Sequence, residues 1–317
     1  MEKEMSIIDE IAKELRINKK IIESQLFASR KQVKKIRVPK KNGAHRSIYV
    51  APKSYKIFQY YILNNYIKHV KKSHAASAFW KGSSILKNAK KHRERTYLVR
   101  IDISNFFPSI HINDFISVLD DSENNIIDLF SNPENAEVIM ETCLSDEGYL
   151  RVGYPISPFI ADIAMREIDQ EIAKYLEEKF QEGTFSYSRY ADDLVIGFDE
   201  KCGKEIEIAI SEIIEKRDHP KLSINHSKTR YFNRNVGNAI VTGVRICQDG
   251  RLTLPKQFKD DLRFRLSLLN KGNLANEELS SLEGCLNHCR DIDPSFYTKL
   301  QTRYFKSIAE LKNRNKN

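Results

Sequence analysis

Two adjacent aspartates, Asp192 and Asp193, stand between a tyrosine and a run of strand-forming residues. Residues 194–198 (LVIGF) predict a β-strand, and residues 185–190 (FSYSRY) predict its hairpin partner, so both carboxylates fall at the connecting turn. Like charges held this close repel each other, and folding alone gains nothing from them. A divalent cation with oxygen ligands would remove the conflict. The competing interpretation is an ordinary surface turn, which the preceding tyrosine and the following strand make less favourable.

A third carboxylate lies upstream, in the segment 97–109 (YLVRIDISNFFPS). This segment predicts a short apolar strand that ends at Asp102. A carboxylate at the end of a buried strand must be paired, hydrogen-bonded or bound to metal. Asp102, Asp192 and Asp193 together therefore predict a site for two Mg²⁺ ions about 3.5–4 Å apart.

Both segments resemble motifs of one known family. Residues 102–110 (DISNFFPSI) resemble the first catalytic motif of reverse transcriptases, and residues 189–198 (RYADDLVIGF) resemble the motif that carries their aspartate pair. The motifs occur in the right order, with about the length of a palm domain between them. The resemblance implies an α+β fold, the right-hand polymerase. It would have fingers, a palm of antiparallel sheet plus helices, and a helical thumb.

The resemblance covers nearly the whole chain and divides it into three parts. Residues 1–95 are expected to form the fingers with N-terminal helices, joined by residues 112–150. Residues 96–250 would form the palm with the catalytic aspartates. Residues 251–317 would form a helical thumb that binds RNA or duplex.

Local patterns predict several elements within this frame. Apolar spacing predicts an amphipathic helix over residues 55–69 and one continuous helix over residues 158–180. Residues 36–50 predict a basic hairpin with its turn at Asn42-Gly43. Residues 239–246 predict a strand in which a glycine lets another backbone come close.

The resemblance also assigns roles to individual residues. It assigns catalysis to Asp102, Asp192 and Asp193; metal binding to Asp102, Ile103, Asp192 and Asp193; nucleotide binding to Arg46, Phe106, Phe107, Gly153 and Lys228; and RNA binding to Asn88, His92, Val241, Thr242 and Gly243. Surface positions for Arg46 and Lys228, and core positions for the phenylalanines, are the structural alternatives. Phe107 stands where the family places an aromatic ring under the sugar, so we expect it to exclude a ribose 2′-OH.

One position departs from the family pattern. Residues 152–158 (VGYPISP) resemble the motif QGxPxSP, but Val152 occupies the place of the glutamine. A glutamine there would hydrogen-bond near the nucleotide, and valine cannot.

Two further segments resemble one branch, the retron reverse transcriptases. Residues 88–92 match its NAxxH signature and residues 241–243 match its VTG signature. The branch implies an enzyme that uses its cognate structured noncoding RNA as template and 2′-OH primer. The product would be branched multicopy single-stranded DNA, made from deoxynucleotide triphosphates, with a role in antiphage defence beside a separately encoded effector protein. A capping asparagine and a surface histidine explain residues 88–92 equally well.

Two alternatives stay open from the sequence. One is a defence-associated reverse transcriptase of another branch, with a different template or none. The other is a catalytically silent RNA-binding scaffold, against which the three intact aspartates argue.

Composition agrees with a nucleic-acid partner. The 317 residues carry 52 lysines and arginines against 43 acids, a net charge of +9, and neutralising phosphates releases counterions. Basic side chains cluster in residues 31–46 and 87–95. No stretch of about 18 apolar residues predicts a membrane span. Five scattered cysteines and the lack of a secretion signal predict a cytoplasmic protein.

Overall fold

The computed structural model describes residues 5–39, 43 and 45–314. The described helices are α1 (Ile7–Leu15), α2 (Lys19–Arg30), α3 (Lys53–Asn65), α4 (Ile85–Lys90), α5 (Ile112–Ile116), α6 (Asn124–Ser131), α7 (Pro133–Cys143), α8 (Ser157–Ala164), α9 (Arg166–Lys179), α10 (Gly203–Glu215), α11 (Lys256–Asn270), α12 (Asn276–Ile292), α13 (Pro294–Arg303) and α14 (Phe305–Arg314). The described strands are β1 (Lys34–Pro39), β2 (His45–Val50), β3 (Tyr97–Asp102), β4 (Phe185–Tyr190), β5 (Asp193–Phe198), β6 (Arg230–Asn233), β7 (Ala239–Val241), β8 (Val244–Ile246) and β9 (Leu252–Thr253).

A four-stranded antiparallel sheet forms the centre of the molecule, in the order β4–β5–β3–β6. The predicted hairpin of residues 185–198 is confirmed as β4–β5, with Tyr190 opposite Asp193. The strands β3 and β5 are largely buried because their apolar residues pack against α9 and α10 on one side of the sheet. The sheet thus brings the end of β3 beside the β4–β5 turn.

The N-terminal helices pack against α7. The Ile7 amide donates a 2.7 Å hydrogen bond to the Asn135 side chain, and the Gln59 side chain donates a 2.7 Å bond to the Thr142 carbonyl. These contacts join residues 133–143 to the beginning of the chain.

The basic hairpin β1–β2 pairs over its whole described length, with Pro39 opposite His45. Its predicted turn residue Asn42 lies outside the described residues. The Tyr49 amide of β2 donates a 2.8 Å bond to the Val152 carbonyl, so the hairpin is tied to the loop before α8.

The single helix predicted over residues 158–180 is wrong. The structure has α8 ending at Ala164 and α9 beginning at Arg166, with the fully buried Met165 between them. Arg166 turns away to form a buried ion pair with Glu123, at 2.9 Å. The apolar spacing of the sequence continues across this junction and so does not indicate the break.

A second core joins the β7–β8–β9 sheet to helices α11–α14. Because β9 pairs with β8, the predicted boundary between residues 250 and 251 cuts through this sheet. The short helix α4, expected with the fingers, also packs here, since Ala89 is buried in the second core. We call the unit formed by residues 239–254 and helices α11–α14 the second body.

Gly243 serves a purpose other than the one predicted. Val241 pairs with Val244, so Thr242 and Gly243 form a two-residue hairpin turn, with φ angles of 47° and 82°. Such a turn requires positive φ at both central residues. A Cβ on Gly243 would meet nothing within 4 Å, so no other backbone comes close.

No helix in the described part of the chain is long and apolar enough to cross a membrane.

Two glycine substitutions test the packing of the loop before α8. A Cβ on Gly153 would lie 2.4 Å from the Tyr49 carbonyl oxygen, and its φ is +103°. Gly153→Ala should therefore lower the free energy of unfolding by roughly 2–4 kcal/mol. Gly284 lies in α12 with open space around it, so Gly284→Ala should raise that free energy by about 1 kcal/mol. Denaturant unfolding measures both, and equal effects of the two substitutions would contradict the assigned packing.

Candidate active site

The three predicted catalytic aspartates meet where the central strands end. Asp102, the last residue of β3, lies directly opposite Asp193, the first residue of β5. Asp192 occupies the β4–β5 turn, and its carbonyl accepts a 3.0 Å hydrogen bond from the Ile103 amide. The antiparallel register therefore brings together carboxylates that are ninety residues apart in the chain.

The electrostatics show that these carboxylates influence one another. Burial raises the pKa of Asp193 to about 6, and the charges of Asp192 and Asp102 add to the shift. Burial also raises the pKa of Asp192, again with a contribution from Asp102. A raised carboxyl pKa means that the charged form is disfavoured, so burial and mutual repulsion make the two charges costly here.

Lysine and arginine side chains balance part of this charge. The Lys228 ammonium lies 2.9 Å from both carboxylate oxygens of Asp102. Arg46 and Lys228 lower the pKa of Asp192, and Arg100 lowers that of Asp193. The structure therefore brings Arg46 and Lys228 to the site, although Lys228, predicted to approach the leaving phosphates, contacts Asp102 here.

The donor set fits a hard divalent cation. Three carboxylates supply only oxygen ligands, which Mg²⁺ prefers, and a bound cation would offset the repulsion between Asp192 and Asp193. Within residues 5–39, 43 and 45–314, no three His, Cys, Asp or Glu side chains already stand at metal-binding spacing. The side chain of Ile103, also assigned to the metal, is buried and carries no ligand atom.

The two phenylalanines differ in exposure. Phe106 is buried in the core, whereas Phe107 is partly exposed and packs against it with ring centroids 5.4 Å apart. Phe107 is thus the ring that remains available to a ligand. Gly153 instead packs against β2, where its lack of a side chain admits the Tyr49 carbonyl.

Three of the residues predicted to bind RNA have buried side chains. Asn88, His92 and Val241 are each 0% exposed. His92 is hydrogen-bonded to the hydroxyls of Ser186 (2.8 Å) and Ser188 (2.7 Å) on β4. These side chains therefore join α4 to the central sheet and the second core.

Thr242 and Gly243, the other two residues predicted to bind RNA, lie at the accessible β7–β8 turn. Gly243 is exposed and Thr242 partly so. The Thr242 hydroxyl donates a 3.3 Å bond to the Ile85 carbonyl, which fixes the turn to α4.

A buried charge network beneath the turn was missed from the sequence. Arg189, on β4, is 0% exposed and forms ion pairs with Asp162 (2.9 Å) and Asp169 (2.7 Å). Asp162 and Asp169 are seven residues apart, about two helical turns. That spacing, together with an arginine two positions before Ala191, is the sequence signal that could have predicted this network.

Comparison with known proteins identifies the family. Residues 38–256 match the family model described as "Reverse transcriptase (RNA-dependent DNA polymerase)". The chain is 33% identical over 293 residues to the Retron Ec73 reverse transcriptase of Escherichia coli, covering 92% of each chain. The chain belongs to the retron-type reverse transcriptases. It is an RNA-directed DNA polymerase, a nucleotidyltransferase, and reverse transcriptases use divalent metal ions.

Further matches have lower sequence identity. The Retron Ec83 reverse transcriptase of Escherichia coli is 28% identical over 281 residues, covering 86% of this chain and 87% of that protein. Among solved structures, a Candida albicans telomerase matches with a TM-score of 0.49 at 11% identity, over 93% of this chain and 59% of that one. A foamy viral protease-reverse transcriptase matches with a TM-score of 0.49 at 16% identity, over 88% and 39% respectively. These structural likenesses are too loose to add to the family match.

Because His92 is buried, we predict that the stability of this reverse transcriptase depends on pH. Burial, with a contribution from Lys91, lowers its pKa to about 3, whereas an unfolded histidine titrates near pH 6.5. The unfolded chain therefore binds a proton that the folded chain does not. Stability should fall as the pH falls from about 6.5, by about 1.4 kcal/mol per pH unit.

The measurement is denaturant unfolding between pH 6.5 and pH 5 for the wild type and for His92→Asn. The wild type should show the steeper loss of stability, because asparagine has no proton to bind. Parallel curves for the two proteins would contradict the buried neutral histidine.

Proposed function

We propose that this enzyme makes branched, RNA-linked single-stranded DNA from its own structured noncoding RNA. The RNA would serve as template and would supply a 2′-OH as primer. The observation that carries the proposal is the similarity to a retron enzyme over 92% of both chains, together with the three aspartates gathered at the strand ends.

Asp102, Asp192 and Asp193 are proposed to hold two Mg²⁺ ions. Bound there, the ions would lower the pKa of the attacking hydroxyl and neutralise charge on the leaving pyrophosphate. Lys228 would then exchange its ion pair with Asp102 for the triphosphate, as a charge partner or general acid. Its side chain is about half exposed, which leaves it free to change partners.

The fingers hairpin and the aromatic residue complete the proposed nucleotide site. Arg46 is exposed on β2 and lies near enough to Asp192 to lower its pKa, which supports the proposal that its guanidinium binds the triphosphate. Phe107 would lie under the sugar and exclude a ribose 2′-OH. Val152 would make no side-chain hydrogen bond there, but its carbonyl holds β2 in place.

Recognition of the cognate RNA is proposed for the second body. Thr242 and Gly243 lie at an accessible turn, and the helices α11, α13 and α14 each carry more basic than acidic residues. RNA stems are recognised by shape and by 2′-OH and phosphate contacts, which such a surface supplies. The protein would work in the cytoplasm beside a separately encoded effector, in antiphage defence.

A direct experiment expresses the protein together with its flanking DNA. The expected product is a small single-stranded DNA that stays linked to RNA until the RNA is digested. A product extended from an ordinary 3′ end would favour a reverse transcriptase of another kind, and the absence of any DNA product would favour a silent scaffold.

Neutralising the aspartate pair should abolish this synthesis without unfolding the protein. Asp192→Asn with Asp193→Asn removes several kcal/mol of transition-state stabilisation, while it also removes like-charge repulsion from the folded state. Primer extension and circular dichroism measure the two effects. Near-normal extension by the double variant would place the chemistry elsewhere.

Shortening Phe107 should admit ribonucleotides. Phe107→Val opens room for one hydroxyl, so the preference for deoxynucleotides over ribonucleotides in kcat/KM should fall at least about tenfold. Phe106→Val is the matched control, because Phe106 is buried and should change stability more than selectivity. If Phe106→Val relaxes the selectivity and Phe107→Val does not, the sugar contact has been assigned to the wrong ring.

A further inference from the structure

Arg189 makes an unusual set of buried contacts directly before the catalytic turn. Its Nε lies 2.9 and 3.0 Å from the two carboxylate oxygens of Asp169, and its Nη2 donates a 3.1 Å bond to the Asp162 carbonyl. Asp162 lies in the last turn of α8 and Asp169 lies in α9. One guanidinium therefore joins both helices to the central sheet.

Neighbouring side chains donate further hydrogen bonds to both carboxylates. The Tyr187 hydroxyl donates a 2.7 Å bond to Asp169, and the Trp80 indole N–H donates to Asp162. The backbone of Arg189 is held as well, since its amide donates to the Ala75 carbonyl (2.9 Å) and its carbonyl accepts from the Ser77 amide (2.9 Å). The arginine is therefore fixed at both its backbone and its side chain.

Stability alone does not account for this network. Buried ion pairs and triads can often be replaced by apolar side chains of similar volume with no loss of stability. An apolar residue would not, however, reach the backbone of the turn. Arg189 does, because its Nη1 lies 3.4 Å from the Ala191 carbonyl oxygen.

That carbonyl belongs to a strained peptide. Ala191 has a φ of 57°, a left-handed conformation that costs a residue with a Cβ roughly 1–2 kcal/mol. The Ala191 carbonyl is part of the peptide that leads into Asp192, while the Asp192 carbonyl is held on its other side by the Ile103 amide. The orientation of the Asp192 side chain thus depends on two peptide groups, each held by one hydrogen bond.

We propose that Arg189 is a positioning residue that fixes the Ala191–Asp192 peptide and thereby the placement of the Asp192 carboxylate relative to Asp102. Its role rests on the proposed use of these aspartates as metal ligands. Asp162 and Asp169 anchor the guanidinium, and the guanidinium anchors the strained turn. Residues that orient metal ligands in this way typically change metal affinity or activity 10- to 100-fold when altered.

Arg189→Lys tests the proposal, because lysine keeps the charge but cannot reach two carboxylates and a carbonyl together. The first readout is Mn²⁺ binding by electron paramagnetic resonance, without RNA or nucleotide. Mn²⁺ affinity should fall about tenfold or more. In primer extension on a generic primer–template, kcat should fall while the KM for primer–template stays unchanged.

The matched control is Arg166→Lys. Arg166 is also a buried arginine in a 2.9 Å ion pair, with Glu123, but it contacts the Lys71 carbonyl rather than the catalytic turn. This variant should lose stability and keep the Mn²⁺ affinity of the wild type. Equal losses of Mn²⁺ affinity in the two variants would reduce Arg189 to a general structural role and overturn the proposal.

A charge-free variant covers the case in which Arg189→Lys does not fold. Arg189→Met combined with Asp162→Asn and Asp169→Asn removes every charge of the triad together, so no unpaired charge stays buried. It should fold, and it should bind Mn²⁺ more weakly than the wild type does. A folded variant of either kind that binds Mn²⁺ and extends primers like the wild type would overturn the proposal. Because Mn²⁺ binding needs no RNA, this result is independent of whether branched DNA is made.

Discussion

Repulsion among three carboxylates is the constraint on which the centre of this molecule depends. Asp102, Asp192 and Asp193 converge because β3 pairs antiparallel with β5, and burial together with mutual repulsion raises the pKa of the aspartate pair. Basic side chains offset part of this repulsion. The Lys228 ammonium forms an ion pair with Asp102, and Arg46 and Arg100 lie near Asp192 and Asp193. Backbone strain at Ala191 in the β4–β5 turn also costs free energy, and hydrogen bonds from neighbouring segments hold this turn in place.

The site is assembled from segments that are distant in sequence. The Val152 carbonyl ties the basic hairpin to the loop before α8, and Gly153 is required there because a side chain would overlap the Tyr49 carbonyl. His92 ties α4 to the edge strand β4 through two serine hydroxyls. Since α4 also packs into the second core, this small helix connects the strand that carries the catalytic turn with the body proposed to recognise RNA.

The sequence predicted the parts of this arrangement that depend on local pattern. The β4–β5 hairpin and the strand ending at Asp102 follow from strand-forming residues beside a turn. Contacts between distant segments could not be read in this way. The break between α8 and α9 at Met165 interrupts an apolar pattern that is continuous in the sequence, and the burial of Asn88 and His92 depends on how α4 packs. A motif match names residues that matter to a family, but burial decides whether they can touch a ligand.

The most direct test of this account is the melting temperature measured with and without Mg²⁺ for the wild type and for the Asp192→Asn, Asp193→Asn variant. If the carboxylates repel one another and need a cation, the variant melts above the wild type when Mg²⁺ is absent, and Mg²⁺ raises the melting temperature of the wild type alone. A wild type that is already the more stable protein without Mg²⁺, and that does not respond to the ion, would contradict the account.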